Sequence, residues 1–193
     1  MWISNEKNFM YICSVTVFRK MAVAYLLLGG NQGNVAQTFA RAVSMLGTQG
    51  VHVRAASSLY ASEPWGVDSG KVRLFLNQAL MADTLLDPYR LLDTLLSVEQ
   101  QLGRVRKPGD MSRVIDIDIL FYGSTIVSGP GLEIPHPRLH LRKFALTPLM
   151  EIAPRFVHPV LGKTVEELLA QTGDILIVRK LGNNRRSDLS SSE

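Results

Sequence analysis

The spacing of apolar and polar positions changes several times along this chain, and each change marks an element. Ala22 to Leu28 is an unbroken apolar run ended by Gly29 and Gly30, which predicts a buried strand. From Asn34 the period lengthens. Val35, Phe39, Val43 and Leu46 fall on one helical face, with Asn34 as the cap and Gly47 and Gly50 closing the helix. Val51 to Tyr60 alternates and predicts a single strand. Ser62 to Gly70 (SEPWGVDSG) is a loop by composition, and Leu74 to Ala82 predicts a third strand. Asp87–Pro88 opens a second helix that runs to Leu102 and stops at Gly103.

A strand over Val114 to Tyr122 follows, with a turn at Gly123. Pro135, Pro137 and Pro148 break up the next stretch. Gly162-Lys163-Thr164 makes a turn and caps a short helix over Thr164 to Gln171, and Ile175 to Leu181 predicts a last strand. The order strand, helix, strand, strand, helix, strand is the split βαβ arrangement. It predicts an α+β fold with a ferredoxin-like βαββαβ core and C-terminal additions. The folded domain is expected over residues 21–181, with an extension at 1–20 and a disordered tail, NNRRSDLSSSE, within 182–193. Two readings of the extension stay open. Met21 is the natural start or the start of the folded domain, or Tyr11 to Phe18 adds a strand. It does not resemble a signal peptide, because its charges follow the apolar stretch.

One strand breaks the pattern. In Arg113 to Gly123 (RVIDIDILFYG) the isoleucines alternate with Asp116 and Asp118. Residues two apart share a strand face, so both carboxylates project together, where they repel and are costly to bury unpaired. Either this face is solvated or it holds a divalent cation, which favours carboxylate oxygens and is commonly shared with phosphates. The preceding residues favour the cation. Arg104, Arg106, Lys107 and Arg113 lead into the pair, Glu99 borders the apolar helix face before them, and Arg138, Arg142 and Lys143 form a second basic group.

Composition narrows the classes. The 193 residues suit one domain, and no apolar run approaches bilayer length. Cys13 is the only cysteine, so an internal disulfide is impossible, which fits a reducing cytoplasm. The formal charge is +4, but residues 1–20 and 175–193 each carry +2, leaving the middle neutral; that argues against nucleic acid as the partner. The glycines at 29, 30 and 33 do not fit a dinucleotide fingerprint. The GKT at 162–164 lacks the glycine that a P-loop requires at Val157.

Taken in order, LLGGN (27–31), YASEPWG (60–66), Phe75-Leu76-Asn77, EQQLGRVRK (99–107), RVIDIDIL (113–120) and IPHPRLHLRKF (134–144) resemble 6-hydroxymethyl-7,8-dihydropterin pyrophosphokinases of folate biosynthesis. The resemblance spans Ala22 to Leu169. It implies transfer of the β,γ-pyrophosphoryl group of ATP to the pterin hydroxymethyl group, leaving AMP, by a cytoplasmic monomer using two Mg²⁺ ions. By the same resemblance Asp116 and Asp118 are the metal ligands, and Arg104, Arg106, Arg113, His136 and Arg142 bind ATP phosphates. Glu99 and Ile119 contact the nucleotide. Asn77 bonds the pterin, Phe75 and Phe144 sandwich it, and Ser62 and Trp65 line its pocket. The chain departs from the family pattern in the short, non-aromatic stretch Lys107 to Ser112 (KPGDMS) and in Phe75, where tyrosine is common. Rival readings of the same residues are a nucleotidyltransferase using the aspartate pair and a ferredoxin-like binding module.

Overall fold

The computed structural model describes residues 20–64, 73–105 and 112–182. The readings placed on Tyr11 to Phe18 and on the tail from 183 lie outside those residues. The elements in chain order are β1 (Ala22–Gly30), α1 (Val35–Thr48), β2 (Val51–Ala56), β3 (Tyr60–Ser62), β4 (Phe75–Thr84), α2 (Pro88–Gln101), β5 (Asp116–Tyr122), β6 (Val127–Gly129), β7 (Leu132–Ile134), α3 (Lys143–Ile152), α4 (Val165–Gln171) and β8 (Val178–Lys180). A 3-10 turn over Leu139–Leu141 precedes α3. No described helix is long and apolar enough to cross a membrane.

The main sheet is antiparallel, ordered β5-β1-β4-β3-β8, with β2 also paired to β4. Caps begin the helices as the sequence dictates. Asn34 accepts from Gln37 N–H at 3.2 Å, and Asp87 accepts from Arg90 N–H at 3.0 Å with Pro88 in the first turn. Thr164 and Glu167 form a reciprocal capping box at α4.

Three expectations change. The strand foreseen over 51–60 is two strands, because Ser57 turns inward: its N–H bonds Ala79 C=O, and its hydroxyl accepts from Ala79 N–H. The proline-rich stretch contains a helix, α3, with Pro148 inside it. The helix persists because Ala145, Leu146 and Leu149 bury their side chains against the sheet, which outweighs one missing hydrogen bond. And α1 runs through Gly47 to Thr48.

The two sheet faces are covered unequally. Alternate residues of β1, β4 and β5, among them Leu26, Leu28, Leu80, Ile117 and Ile119, pack on α1 and α2. The opposite residues, Tyr25, Leu27, Ala79, Leu120 and Phe121, pack on α3 and α4. Leu120 is an extra residue in β5. Ile119 pairs with Leu26 and Phe121 with Tyr25, so the register shifts there. Phe121 thereby reaches the α3 side and joins Tyr25 and Phe156, with ring centroids 6.1 and 4.6 Å away. The far end of this face lies open.

Gly30 ends β1 where the chain before β5 crosses closely. A Cβ there would stand 2.9 Å from Val114 C=O and 3.4 Å from Arg113 C=O. The same crossing is tied by Asn31 and Gln32 N–H to Arg113 C=O at 2.8 and 3.1 Å, and by Arg113 N–H to Asn31 Oδ1 at 2.7 Å. Gly30→Ala is therefore expected to cost about 1–3 kcal/mol in denaturant unfolding. Gly47→Ala, where a Cβ meets nothing within 4 Å, should be neutral or gain up to about 1 kcal/mol through helix propensity.

Candidate active site

Asp116 and Asp118 project on the open face. Gly29 pairs with Asp116 on one side and Asn77 on the other, and Leu27 pairs likewise with Asp118 and Ala79. Residues paired directly across antiparallel strands share a face, so two rows form across three strands. With only a hydrogen at Gly29, the floor between the Asn77 amide and the Asp116 carboxylate stays low: a Cβ there would meet Asn77 Oδ1 at 3.7 Å and Asp116 Cβ at 3.9 Å.

A cavity of about 770 Å³ rises from this floor. Ser62, Phe75, Asn77, Glu99, Arg104, Arg113, Asp116, Asp118, His136, Arg142 and Phe144 all line it. Ile119 is buried toward α1 and α2 but reaches a smaller adjoining recess of about 390 Å³, which shares Asp118 and His136 with the main cavity. Trp65 and Arg106 lie outside the described residues. Arg138 also lines the cavity. Sequence reasoning placed it in a basic group but gave it no role; its position between His136 and Arg142 was the available signal.

Glu99 organises the edge. It is 2% exposed, and its Oε1 accepts Ile117 N–H at 2.6 Å, between the two aspartates. Its Oε2 pairs with Arg104, which also pairs with Asp116. Burial pushes the Glu99 carboxyl above its ordinary range, against the pull of the Ile117 N–H and Arg104. Arg113 holds the other Asp116 oxygen at 3.0 Å. Asp118 differs. No described residue donates a hydrogen bond to it, and burial raises its pKa even though Arg142, Arg104, Arg113 and Arg138 oppose the shift. A half-buried carboxylate with no donor among the described residues, beside a second carboxylate and inside a ring of guanidinium groups, is a donor set that a hard dication fits.

The opposite rim favours anions. In the tautomer in which His136 Nδ1 accepts Arg138 N–H at 3.2 Å, the proton of the neutral ring is on Nε2, facing Arg142 Nη1 at 3.4 Å. Two donors meet there, and an anionic oxygen between them would accept from both. The Arg142 guanidinium also lies 5.5 Å from the centre of the Phe144 ring. On the far wall, buried Asn77 donates to Ser62 Oγ at 2.9 Å, so its carbonyl oxygen faces the floor beside Gly29.

Burial, and then the charges of Arg142 and Arg138, lower the His136 pKa to about 4. The unfolded chain therefore takes up this proton first. The stability contributed by the neutral ring is complete above about pH 6.5 and is lost as pH falls toward 4. His136→Gln should make unfolding less sensitive to acid across that window. An NMR titration of the wild-type ring should show no midpoint between pH 5 and 8.

Comparison with known proteins identifies the family. The family model for 7,8-dihydro-6-hydroxymethylpterin-pyrophosphokinase (HPPK) matches residues 25–154. The chain is 46% identical over 152 residues to the 2-amino-4-hydroxy-6-hydroxymethyldihydropteridine pyrophosphokinase of Methylorubrum extorquens, covering 78% of this chain and 94% of that one. It is 36% identical over 147 residues to the enzyme of the same name from Aquifex aeolicus, covering 76% and 90%. A crystal structure of wild-type Plasmodium falciparum HPPK-DHPS with pteroate superposes with a TM-score of 0.62 at 18% identity. It matches 78% of this chain but only 42% of that longer one, and supports the ferredoxin-like fold alone. On the family match and these identities, the chain belongs to the 7,8-dihydro-6-hydroxymethylpterin-pyrophosphokinase family.

Proposed function

We propose that this chain transfers the pyrophosphoryl group of ATP to the hydroxymethyl group of 6-hydroxymethyl-7,8-dihydropterin, releasing AMP, as a cytoplasmic monomer whose working unit is residues 21–181. The observation that carries the reading is the floor built by β1, β4 and β5. It sets a buried amide, Asn77, across one glycine from a carboxylate pair ringed by arginines. Few other chemistries need a neutral amide-and-aromatic pocket beside a polyanion site.

The pterin lies over Asn77, between Phe75 and Phe144. A flat heteroaromatic ring gains stacking from both faces and edge bonds from the amide. Ser62 fixes the amide by accepting one of its protons. The family resemblance assigns Trp65 to the same pocket. The triphosphate lies toward the arginines, where Arg104, Arg113, His136 and Arg142 donate to its oxygens and Arg138 adds charge; the family resemblance adds Arg106 to this set. Glu99 and Ile119 line the nucleotide end. Asp116 and Asp118 would hold magnesium, two ions by family resemblance, which would neutralise phosphate charge as the alcohol attacks. Binding of ATP requires Arg104 and Arg113 to give up Asp116 in part, so the protein exchanges internal ion pairs for substrate ones. The remaining catalytic contribution is alignment. Both substrates are held so that the hydroxymethyl oxygen is in line with the β-phosphorus.

A direct assay of product identity decides between readings. Incubation with ATP, Mg²⁺ and the hydroxymethyl dihydropterin should yield AMP only when the pterin is present. Release of pyrophosphate instead would indicate a nucleotidyltransferase, and ADP an ordinary kinase. Asp118→Asn should lower kcat by several orders of magnitude. It should also leave the fold as stable or up to about 2 kcal/mol more so. The folded pKa of Asp118 is raised, so its ionised form burdens the fold at neutral pH, and asparagine removes that burden. Loss of activity with loss of folding would refute this account of the residue.

A further inference from the structure

Helix α3 starts at the cavity, with Arg142 just before its first residue and Phe144 just after it. The first turn of a helix needs acceptors for its free N–H groups; the Arg142 carbonyl takes Ala145 N–H at 3.1 Å, but its side chain offers no cap. The acceptor comes from much later in the chain. Lys143 N–H donates to Asp174 Oδ2 at 2.9 Å. A carboxylate suits this place, since it both accepts the bond and faces the positive end of the helix dipole. Asp174 is itself fixed. Its Oδ1 accepts Leu176 N–H at 3.0 Å, and its N–H donates to Thr172 Oγ1 at 3.3 Å.

The segment then crosses to the other wall. Ile177 N–H donates to Glu63 Oε2 at 3.2 Å, and Glu63 N–H to Ile177 C=O at 3.4 Å. Val178 to Lys180 pairs with Tyr60 to Ser62. One strap thus joins the wall that holds Arg142 and Phe144 to the wall that holds Ser62 and Glu63. It lies beyond the residues matched by the family model. The other end of α3 is fastened separately: Glu151 accepts from Ser58 N–H and hydroxyl, from Tyr60 Oη and from Lys180 Nζ. Removing Asp174 therefore frees the first turn of α3 without undocking the helix.

We propose that Asp174 is a positioning residue for the reaction. By capping α3 through Lys143 N–H it aims Phe144 and Arg142, and it anchors the strap that keeps them at a working distance from Ser62 and Asn77. The proposal rests on reading this cavity as the pterin site. Displacements of about 1 Å in a positioned group can reduce rates by about 10²-fold, so a loosened first turn is enough to be measured.

The test uses the whole chain. Pterin binding is measured by calorimetry with Mg²⁺ and a non-hydrolysable ATP analogue, together with kcat, KM and the melting temperature, in the wild type, Asp174→Ala, Asp174→Ser and Asp174→Asn. Asp174→Ala should weaken pterin binding and raise the pterin KM about tenfold, while affinity for the analogue changes less. Asp174→Asn keeps an acceptor of the same reach and should recover most of the loss, with Asp174→Ser between the two. Should Asp174→Ala fail to fold, the order of the serine and asparagine variants carries the same test. Variants that melt earlier yet bind pterin like the wild type would overturn the positioning role alone. A wild type that binds the analogue but no pterin would overturn the functional reading, and this proposal with it.

Discussion

A buried carboxylate, Glu99, accepts the Ile117 N–H at the open edge of β5. An edge strand exposes unpaired amides, and here one of them lies between the two aspartates. Glu99 settles that amide and, through its second oxygen, holds Arg104 against Asp116. Its burial is unfavourable alone and tolerable only with both partners present. The strand edge, the first arginine and the first aspartate are therefore one unit. If any member is lost, the others each lose a partner in a poorly solvated place, with Arg113 still holding Asp116.

The second constraint is coverage. The face of the sheet that packs on α1 and α2 is closed by large apolar residues along its length. The other is closed only where α3 and α4 reach, over Tyr25, Leu27 and Phe121. The uncovered remainder takes the polar residues of the same strands. Core and site thus share strands and a face and differ only in position along them. This explains how acids can interrupt so apolar a strand: Asp116 and Asp118 face a cavity, while Ile117 and Ile119 face helices.

The sequence disclosed what local physics decides. β1, both long helices and β5 were legible because their periodicity and caps agree, as at Asn34 and at Asp87–Pro88. The division between β2 and β3 was not, since Ser57 turns inward for a partner, Ala79, that is distant in sequence. Helix α3 was hidden by Pro148, whose local penalty is offset by burial that no local pattern reveals. Most side chains that line the cavity were named through the family resemblance, because its motifs fall at strand ends and in charged clusters. Arg138 escaped assignment, and the link from Asp174 to Lys143 spans 31 residues that no spacing rule connects.

The extra residue at Leu120 has a consequence for how this fold can vary. Side chains alternate along β5, so one added residue reverses the phase of everything after it relative to Asp116 and Asp118. The half of the strand that lines the cavity and the half beneath α3 are in effect written in two reading frames. Removal of Leu120 would merge the two frames and leave Phe121 opposite Tyr25 and Tyr122 opposite Ala24, whereas a further residue inserted there would turn Phe121 away from the aromatic cluster. The strand can therefore shorten at this one point without moving its acids or its aromatic ring, and cannot lengthen there as freely.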